Sequence, residues 1–398
     1  MSKHFNICNF YILLWCLYNL QGTLYASGSI ISQGILAVLL LISLFFVIYA
    51  NAKFEMPPYM KVLNVMLLMF TVYGILLIFS GETLIVREGY IGAVSNKGYV
   101  KSIYISLLPI YAFFVFAKTG QLSKLVVRRW VPVFLGVVIV TFLTRQSELL
   151  AEAEELMSTQ EEFTNNVGYT FLAIIPLLLF VKRTFVKYAV LLVCGIFIIA
   201  AMKRGAILIF ALCLPLFMHS TLKALSFRKK MFTFILIAAS ILAILYYVSY
   251  MLDTSEYFNT RLEATLDGNA SNREAMYPHL LRQIFYFATP LQFLFGRGAW
   301  GTLKVSDNFA HNDWLELGVN QGVLGIVIYF AYWIAFYVCA KRMQDDKRIY
   351  EVLILSMLIL FVKTFFSMSY DDMSIYITIC IGYCMAHYKS ASECKFLC

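Results

Sequence analysis

The chain has 398 residues, of which 61% are hydrophobic and only 14% are charged, and its mean hydropathy is +0.76. A soluble domain carries roughly a quarter charged residues, so this composition excludes an ordinary soluble protein. The net charge of +9 does not indicate nucleic-acid binding. The basic residues lie in short loops between apolar runs, where the positive-inside rule accounts for them.

Apolar runs near the length needed to cross a bilayer, roughly twenty residues, recur along the whole chain. The first has only Lys3 before it and no clear small-x-small cleavage site after it, so it is interpreted as an anchor. About twelve membrane-spanning helices are predicted, several of them short, in an all-α polytopic bundle. They cover residues 8–25, 30–50, 59–80, 100–118, 130–144, 167–181, 188–202, 205–222, 231–250, 314–340, 349–369 and 374–388.

The distribution of charged residues gives the orientation of these spans. With the N-terminus in the cytoplasm, 20 of the 32 Lys and Arg lie inside, 11 lie outside, and Lys363 lies within a span. Of the 23 acidic residues, 18 lie outside. This asymmetry follows the positive-inside rule and predicts that both termini are cytoplasmic.

Three outer segments are long enough to carry function, namely 81–99, 146–166 and 251–313. The last is the largest by far and is predicted to contain short helices. Within it, residues 271–274 read Ser-Asn-Arg-Glu, which fits a capping-box start. A helix is therefore predicted from there to about Phe287, with a bend or interruption at Pro278. Its apolar side chains would lie against the bilayer surface or cap the bundle.

The candidate for proton transfer is His311, in the stretch AHNDWLELGVNQGVLG at 310–325, where a polar loop enters an apolar helix. An imidazole titrates near neutrality, so it can accept a proton from a hydroxyl at physiological pH. The alternative is a solvated loop histidine or a neighbour of a helix N-cap. Asn312 belongs to the same motif and is a candidate supporting residue.

Two acidic residues flank this histidine. Asp313 and Glu316 could orient the imidazole or an acceptor hydroxyl. Alternatively, they are N-terminal helix acids that the helix dipole favours. The outer loops contain no DxD pair, HExxH, Walker loop or GxSxG motif, so neither metal-dependent nor serine-nucleophile chemistry is indicated.

Outer arginines are the candidates for binding an anion. Arg204 lies at the outer junction of two spans, where a guanidinium is costly unless paired or hydrated. It could bind phosphate through its planar fork, or it could be an anchor that snorkels to water. Arg273 opens the predicted loop helix, against the helix dipole, and could also be an ordinary exposed arginine. Arg145 and Arg297 are further outer candidates, the latter between two glycines.

Taken together, these segments resemble the O-antigen ligase and O-antigen polymerase superfamily. The similarity is closest over about 261–340, where Arg273, FGRG at 295–298, AHNDWLE at 310–316 and Gly318 to Gly325 follow in the family's order. That order is fairly specific for the family. A weaker match is KRGA at 203–206, in which Lys203 replaces the family's small polar residue. Arg297 also departs from the small residue common at that turn and receives no confident role.

The resemblance implies a single integral membrane domain over 1–398, GT-C-like, with a large periplasmic loop at 251–313, in a bacterial inner membrane. It implies a glycosyltransferase whose donor is a glycan linked to undecaprenol through a diphosphate. Arg204 and Arg273 would hold the diphosphate, and His311 would act on the acceptor hydroxyl. Since arginine supplies the charge that Mg²⁺ provides elsewhere, no metal or other cofactor is expected, and a single in-line displacement would invert the anomeric centre.

The acceptor distinguishes two forms of this activity. A polymerase extends another lipid-linked glycan, and a chain-length regulator is then a further expected partner. A ligase transfers finished polymer to lipid A-core. The HNDWLE form and the short termini favour the polymerase. A transporter or flippase is the alternative from a different class, but it predicts inverted repeats and ionisable residues inside spans, of which Lys363 is the main one.

Overall fold

A computed structural model describes residues 6–86, 92–155, 165–201, 203–223, 273–306 and 308–389, with separate positions between 226 and 253. The predicted span 231–250 lies largely outside these residues, as do Ser271 and Asn272 of the predicted capping box. The N-terminal helices are α1 (Ile7–Asn19), α2 (Ile30–Lys53), α3 (Pro58–Ser80), α4 (Asn96–Leu107), α5 (Pro109–Lys118), α6 (Lys124–Glu155), α7 (Val167–Leu178), α8 (Thr184–Ala200) and α9 (Arg204–Leu222).

The C-terminal helices start after the region of separate positions. They are α10 (Arg273–Phe285), α11 (Pro290–Phe295), α12 (Gly301–Ser306), α13 (Asp313–Asn320), α14 (Gly322–Arg342), α15 (Lys347–Lys363) and α16 (Ile375–Met385). A hairpin of β1 (Leu84–Val86) and β2 (Gly92–Val94) pairs antiparallel, with Ile85 opposite Ala93. The predicted all-α class therefore needs one addition, because this small hairpin forms in the outer segment 81–99.

The prediction of a polytopic helical membrane protein is confirmed. Among the described residues, six helices are long and apolar enough to cross a membrane: Ile30–Lys53, Pro58–Ser80, Asn96–Lys118, Lys124–Glu148, Arg204–Leu222 and Gly322–Arg342. Shorter apolar helices occur at Ile7–Asn19, Val167–Leu178, Thr184–Ala200 and Ile375–Met385. The count of twelve and the GT-C-like architecture remain predictions.

The bundle separates an apolar outer surface from a close-packed centre. Ile48 and Phe79 are 71% and 85% exposed on α2 and α3, which suits helices that face lipid. By contrast, α16 is buried along its whole length. A Cβ at Gly382 would lie 2.6 Å from the carbonyl oxygen of Ile110, so α16 and α5 approach closely enough to require glycine.

The structure corrects the predicted span 314–340, which is divided into α13 and α14 at Gln321 and Gly322. Gly322 has φ +66°, and a Cβ there would lie 2.6 Å from both the Gly296 nitrogen and the Phe293 carbonyl oxygen. Gly296, at φ +73°, faces the same junction, 2.3 Å from the Asn320 carbonyl carbon when given a Cβ. The turn after α11 thus fits into the break between the two helices.

We expect Gly296→Ala to lower the thermal unfolding midpoint of the detergent-solubilised protein. The added methyl group must displace the backbone of Asn320 and Gln321, and overpacking of this kind costs about 1–3 kcal/mol. Gly28→Ala is the matched control, because Gly28 has a similar φ of +70° but nothing within 4 Å of its Cβ position. If both variants lower the unfolding midpoint equally, backbone strain and not close packing explains why glycine is needed at position 296.

Candidate active site

Helix α10 attaches the outer segment to the loop that carries His311. Leu280 and Ile284 form a small buried cluster with Ala310, Leu315 and Val319. The helix ends at Phe285, slightly before the predicted Phe287, and it continues through Pro278. One face of α10 is therefore fixed against the histidine loop.

The neighbouring face of α10 is exposed. Leu281 and Phe285 are 43% and 62% exposed, and Phe287 just beyond the helix is 64% exposed. A helix with one packed face and one exposed apolar face matches the predicted role of capping the bundle or lying at the bilayer surface.

His311 has a left-handed backbone, with φ +50°. A residue other than glycine is uncommon in this region, and such strain is found most often at functional sites. The loop is held there by its neighbour Asn312, whose side-chain oxygen accepts hydrogen bonds from the nitrogens of Trp314 at 3.0 Å and Leu315 at 3.2 Å. Asn312 is thus the N-cap of α13, and it fixes the backbone next to the imidazole.

Glu316 is fully buried and closes the loop from within. Its carboxylate accepts hydrogen bonds from the Ala310 nitrogen at 2.5 Å, the Thr302 hydroxyl at 2.8 Å and the Asn320 amide at 3.0 Å. Burial raises the pKa of Glu316 to about 7, although these hydrogen bonds oppose the shift. Through its bond to the Ala310 nitrogen, the carboxylate fixes the backbone directly before His311.

Asp313 is also fully buried and ties α13 to the segment after α15. Its nitrogen donates to the Thr364 carbonyl oxygen at 2.9 Å. Its carboxylate accepts from the Ser369 nitrogen at 2.8 Å and from the Tyr329 hydroxyl. Trp314 adds a hydrogen bond from its indole nitrogen to the Thr364 hydroxyl at 3.0 Å. These bonds position the histidine loop over the end of α15.

Two of the outer arginines make structural contacts. Arg297 donates to the Gln283 side-chain oxygen at 2.9 Å, and its backbone nitrogen donates to the Val319 carbonyl oxygen at 2.8 Å. It therefore holds the end of α10 against the end of α13. Arg145 pairs with Glu148 at 2.9 Å on α6, where both side chains are nearly half exposed.

Cationic side chains stand close to His311. Burial and, to a smaller extent, the positive charges of Arg273 and Lys203 together lower the pKa of the imidazole to about 4. Arg273 is fixed by a hydrogen bond from its guanidinium to the Phe366 carbonyl oxygen at 3.4 Å. The imidazole is consequently neutral at physiological pH, with two cations beside it.

Lys203 is the residue that sequence reasoning missed. It is the N-cap residue of α9, and the motif comparison noted it only as a replacement for the family's small polar residue in the KRGA segment. Its position directly before Arg204 and a helix start was a signal, because a cation at the outer end of a span is suited to bind an anion there.

The N-terminus of α9 meets Arg273 at Phe366. A Cβ at Gly205 would lie 2.4 Å from the Tyr169 hydroxyl and 2.8 Å from the Phe366 Cβ, so the helix start packs tightly at this point. Arg204, the first residue of α9 and half-buried, is next to this glycine. The structure therefore brings the Arg204 backbone to the same end of the bundle as Arg273 and His311. The positive end of the α9 dipole adds to their field.

This arrangement can bind an anion and accept a proton. Lys203, Arg273 and a helix N-terminus provide positive charge, and a neutral imidazole provides a base. In the part of the chain that the structure describes, no group of three or more His, Cys, Asp or Glu residues is placed to hold a metal ion.

We expect Arg273→Gln and Lys203→Gln each to raise the pKa of His311, because each removes a positive charge that opposes protonation. The shift can be measured by NMR titration of protein with labelled histidines, with the signal assigned through His311→Gln. Arg282→Gln is the matched control, since Arg282 lies on α10 but is exposed. An unchanged titration in both test variants would contradict the electrostatic assignment.

Stability should depend on pH through the same imidazole. The folded-state pKa of about 4 is below the ordinary value of 6.5, so unfolding takes up a proton between these values. The contribution of His311 to stability is therefore present above pH 6.5 and is lost as the pH falls toward 4. The His311→Gln variant should lose less stability than the unchanged protein over this range, as measured by thermal unfolding.

Comparison with known proteins gives a family for this site. Residues 189–330 match the family model described as O-antigen ligase. The match contains Lys203, Arg204, Arg273 and His311, and it extends from α8 into α14. No curated protein matches the chain. The match over 189–330 supports the O-antigen ligase superfamily that the loop motifs predicted.

Proposed function

We propose that the protein transfers a glycan from undecaprenyl diphosphate to a sugar hydroxyl at the periplasmic face of a bacterial inner membrane. It acts as a polymerase of O-antigen or a related surface polysaccharide. The observation that carries the proposal is the pair of cations, Arg273 and Lys203, whose charges act on a half-buried, neutral His311 in a segment that matches the O-antigen ligase family.

Binding of the diphosphate is the proposed task of the cations. A diphosphate that leaves from the sugar gains negative charge on its terminal phosphate, and fixed positive groups stabilise that charge, typically by several kcal/mol. Arg273 and Arg204 are the proposed ligands, and Lys203 is added to them. In this proposal they replace the charge that Mg²⁺ supplies in other enzymes, so the reaction needs no metal.

Removal of the acceptor proton is the proposed task of His311. Its low pKa keeps it neutral, so it is in the state that can accept a proton. When an anionic diphosphate binds, its charge offsets Arg273 and Lys203, and the imidazole becomes a stronger base. A hydroxyl would then attack the anomeric carbon in line with the departing diphosphate and invert that centre.

Supporting residues hold this geometry without touching the reacting atoms. Glu316 fixes the Ala310 nitrogen, Asn312 caps α13, and Asp313 ties the loop to the Thr364 segment. Such a framework keeps a base within the short distances that proton transfer requires.

We expect His311→Ala, Arg273→Ala and Arg204→Ala each to abolish most surface polysaccharide in cells that depend on this protein. Loss of a general base typically costs 10²–10⁴-fold in rate, and loss of a charge-stabilising group costs about 10²–10³-fold. Polymer length is read on gels of extracted polysaccharide, and membrane levels of each variant are measured alongside.

His219→Ala and Arg282→Ala serve as matched controls. His219 lies at the far end of α9, and Arg282 is an exposed arginine of α10. Both variants should retain normal polymer. If the three test variants remain in the membrane and the cells still display full-length polysaccharide, the enzymatic proposal is wrong.

A ligase is the second candidate, because the matched family model is described as O-antigen ligase. Both activities use the same donor chemistry and differ in the acceptor. We expect the purified protein to lengthen lipid-linked repeat units without lipid A-core and in the presence of EDTA. Transfer that occurs only when lipid A-core is added would instead assign the ligase activity.

The transporter alternative relied mainly on a charge within a predicted span. Lys363 is the last residue of α15, and its ammonium donates to the Asp372 carboxylate at 2.7 Å. A paired charge at the end of a helix has a structural explanation and does not require a transport pathway. A chain-length regulator remains a proposed partner of the polymerase.

A further inference from the structure

A cavity of about 270 Å³ with polar and charged side chains in its lining opens among α1, α4, α7, α15 and the start of α16. Its volume is near the lower end for small-molecule sites, which suits one small ring rather than an extended chain. The residues that matter for recognition are Trp15, Ser102, Tyr169, Lys363, Asp371 and Asp372. Aromatic residues, a carboxyl pair, a hydroxyl and an ammonium thus line one partly open cavity.

Lys363 supplies the positive charge in the lining of this cavity. Its side chain is only 5% exposed, bonds to Asp372 and lies 5.0 Å from the centre of the Tyr169 ring. Because Lys363 bonds to Asp372, the neighbouring carboxyl of Asp371 can accept hydrogen bonds from a ligand. Its Oδ1 atom is buried and has no hydrogen-bond partner within the described residues.

The Oδ1 atom of Asp371 is therefore a buried acceptor without a hydrogen-bond donor among the described residues, although the residue as a whole is half-buried. Such atoms are rare in folded proteins, and each requires an explanation. Burial and the charge of Asp372 raise the pKa of Asp371 to about 7, while Lys363 opposes that shift. A ligand with adjacent hydroxyl groups would supply the missing donors.

Tyr169 lies between this cavity and the candidate active site. Its ring lines the cavity. Its hydroxyl, buried and without a hydrogen-bond partner among the described residues, points to Gly205 beside Phe366, whose carbonyl accepts from Arg273. Thr364, next to Lys363, accepts from the nitrogen of Asp313. A ring in the cavity would thus lie one side chain away from the cationic site.

We propose that this cavity binds one pyranose ring of the glycan substrate, with Asp371 accepting hydrogen bonds from ring hydroxyls and the aromatic side chains packing against the ring. The inference rests on the proposed glycosyltransferase function and adds a carbohydrate subsite to it. Donor glycan and acceptor glycan present the same ring chemistry, and the kinetic experiment below distinguishes them.

Binding is tested with the full chain in nanodiscs by saturation-transfer NMR. The probes are methyl glycosides of glucose, galactose, mannose, rhamnose and N-acetylglucosamine. We expect at least one glycoside to bind, and Asp371→Asn to weaken it roughly tenfold, the order expected when a charge-assisted hydrogen bond is lost. Asp345→Asn removes an exposed acid at the other end of the bundle and should leave binding unchanged.

Tyr169→Phe provides a second variant that keeps the ring and removes only the hydroxyl at Gly205. It should retain glycoside binding, because the hydroxyl is buried against Gly205 and the ring that packs on the ligand is kept. The proposal is overturned if no glycoside binds the unchanged protein, or if Asp371→Asn binds as tightly while its thermal unfolding midpoint is unchanged.

Kinetics distinguish the source of the ring and separate this inference from the proposed function. With lipid-linked repeat units and a lipid-free acceptor glycoside, a raised KM of Asp371→Asn for the glycoside assigns the acceptor. A raised KM for the lipid-linked substrate alone assigns the donor. His311→Ala should retain glycoside binding. Loss of polymer in His311→Ala together with unaltered binding in Asp371→Asn would reject the cavity proposal and keep the enzyme.

Discussion

The three hydrogen bonds to the buried carboxylate of Glu316 are the interaction on which the site depends. They join Thr302, Ala310 and Asn320, which belong to two helices and the loop between them. An unpaired carboxylate in such a position would be strongly destabilising, so the three donors and the acceptor require one another. The left-handed backbone of His311 directly follows this junction and is held by it.

Electrostatics then determine the state of the imidazole. Burial and two nearby cations both disfavour a protonated His311. The same cations favour an anionic ligand, so binding of that ligand removes part of the penalty on protonation. Positive charge for anion binding and a basic imidazole for proton transfer oppose each other, because the cations lower the pKa of His311. A bound anion would offset the cations, so that both functions could operate together.

Hydropathy and charge were sufficient to predict the helical membrane class, because lipid requires long apolar helices and leaves charge in the loops. The resemblance implied that Arg273 and His311 act at one site, and in the structure the charge of Arg273 lowers the pKa of His311. Their joint role in a reaction stays a prediction. The break at Gly322 could not be predicted from apolar periodicity, since α13 and α14 are both apolar and the break is caused by contact with Gly296.

Other features depend on tertiary partners that local sequence does not reveal. Asp313 and Glu316 have the appearance of acids at a helix start, yet both are buried and bond to distant backbone groups. Lys203 was overlooked because its importance comes from proximity to His311 across the fold. Lys363 seemed to be a charge within a span, but its partner Asp372 follows nine positions later in a turn.

The two-sided character of α10 has a consequence for the whole protein. Leu280 and Ile284 fasten it to the histidine loop, while Leu281 and Phe285 face outward. We expect the depth to which its exposed apolar side chains enter the lipid headgroups to determine the position of the imidazole relative to the membrane surface. Bilayer thickness and headgroup composition would then become part of the catalytic geometry.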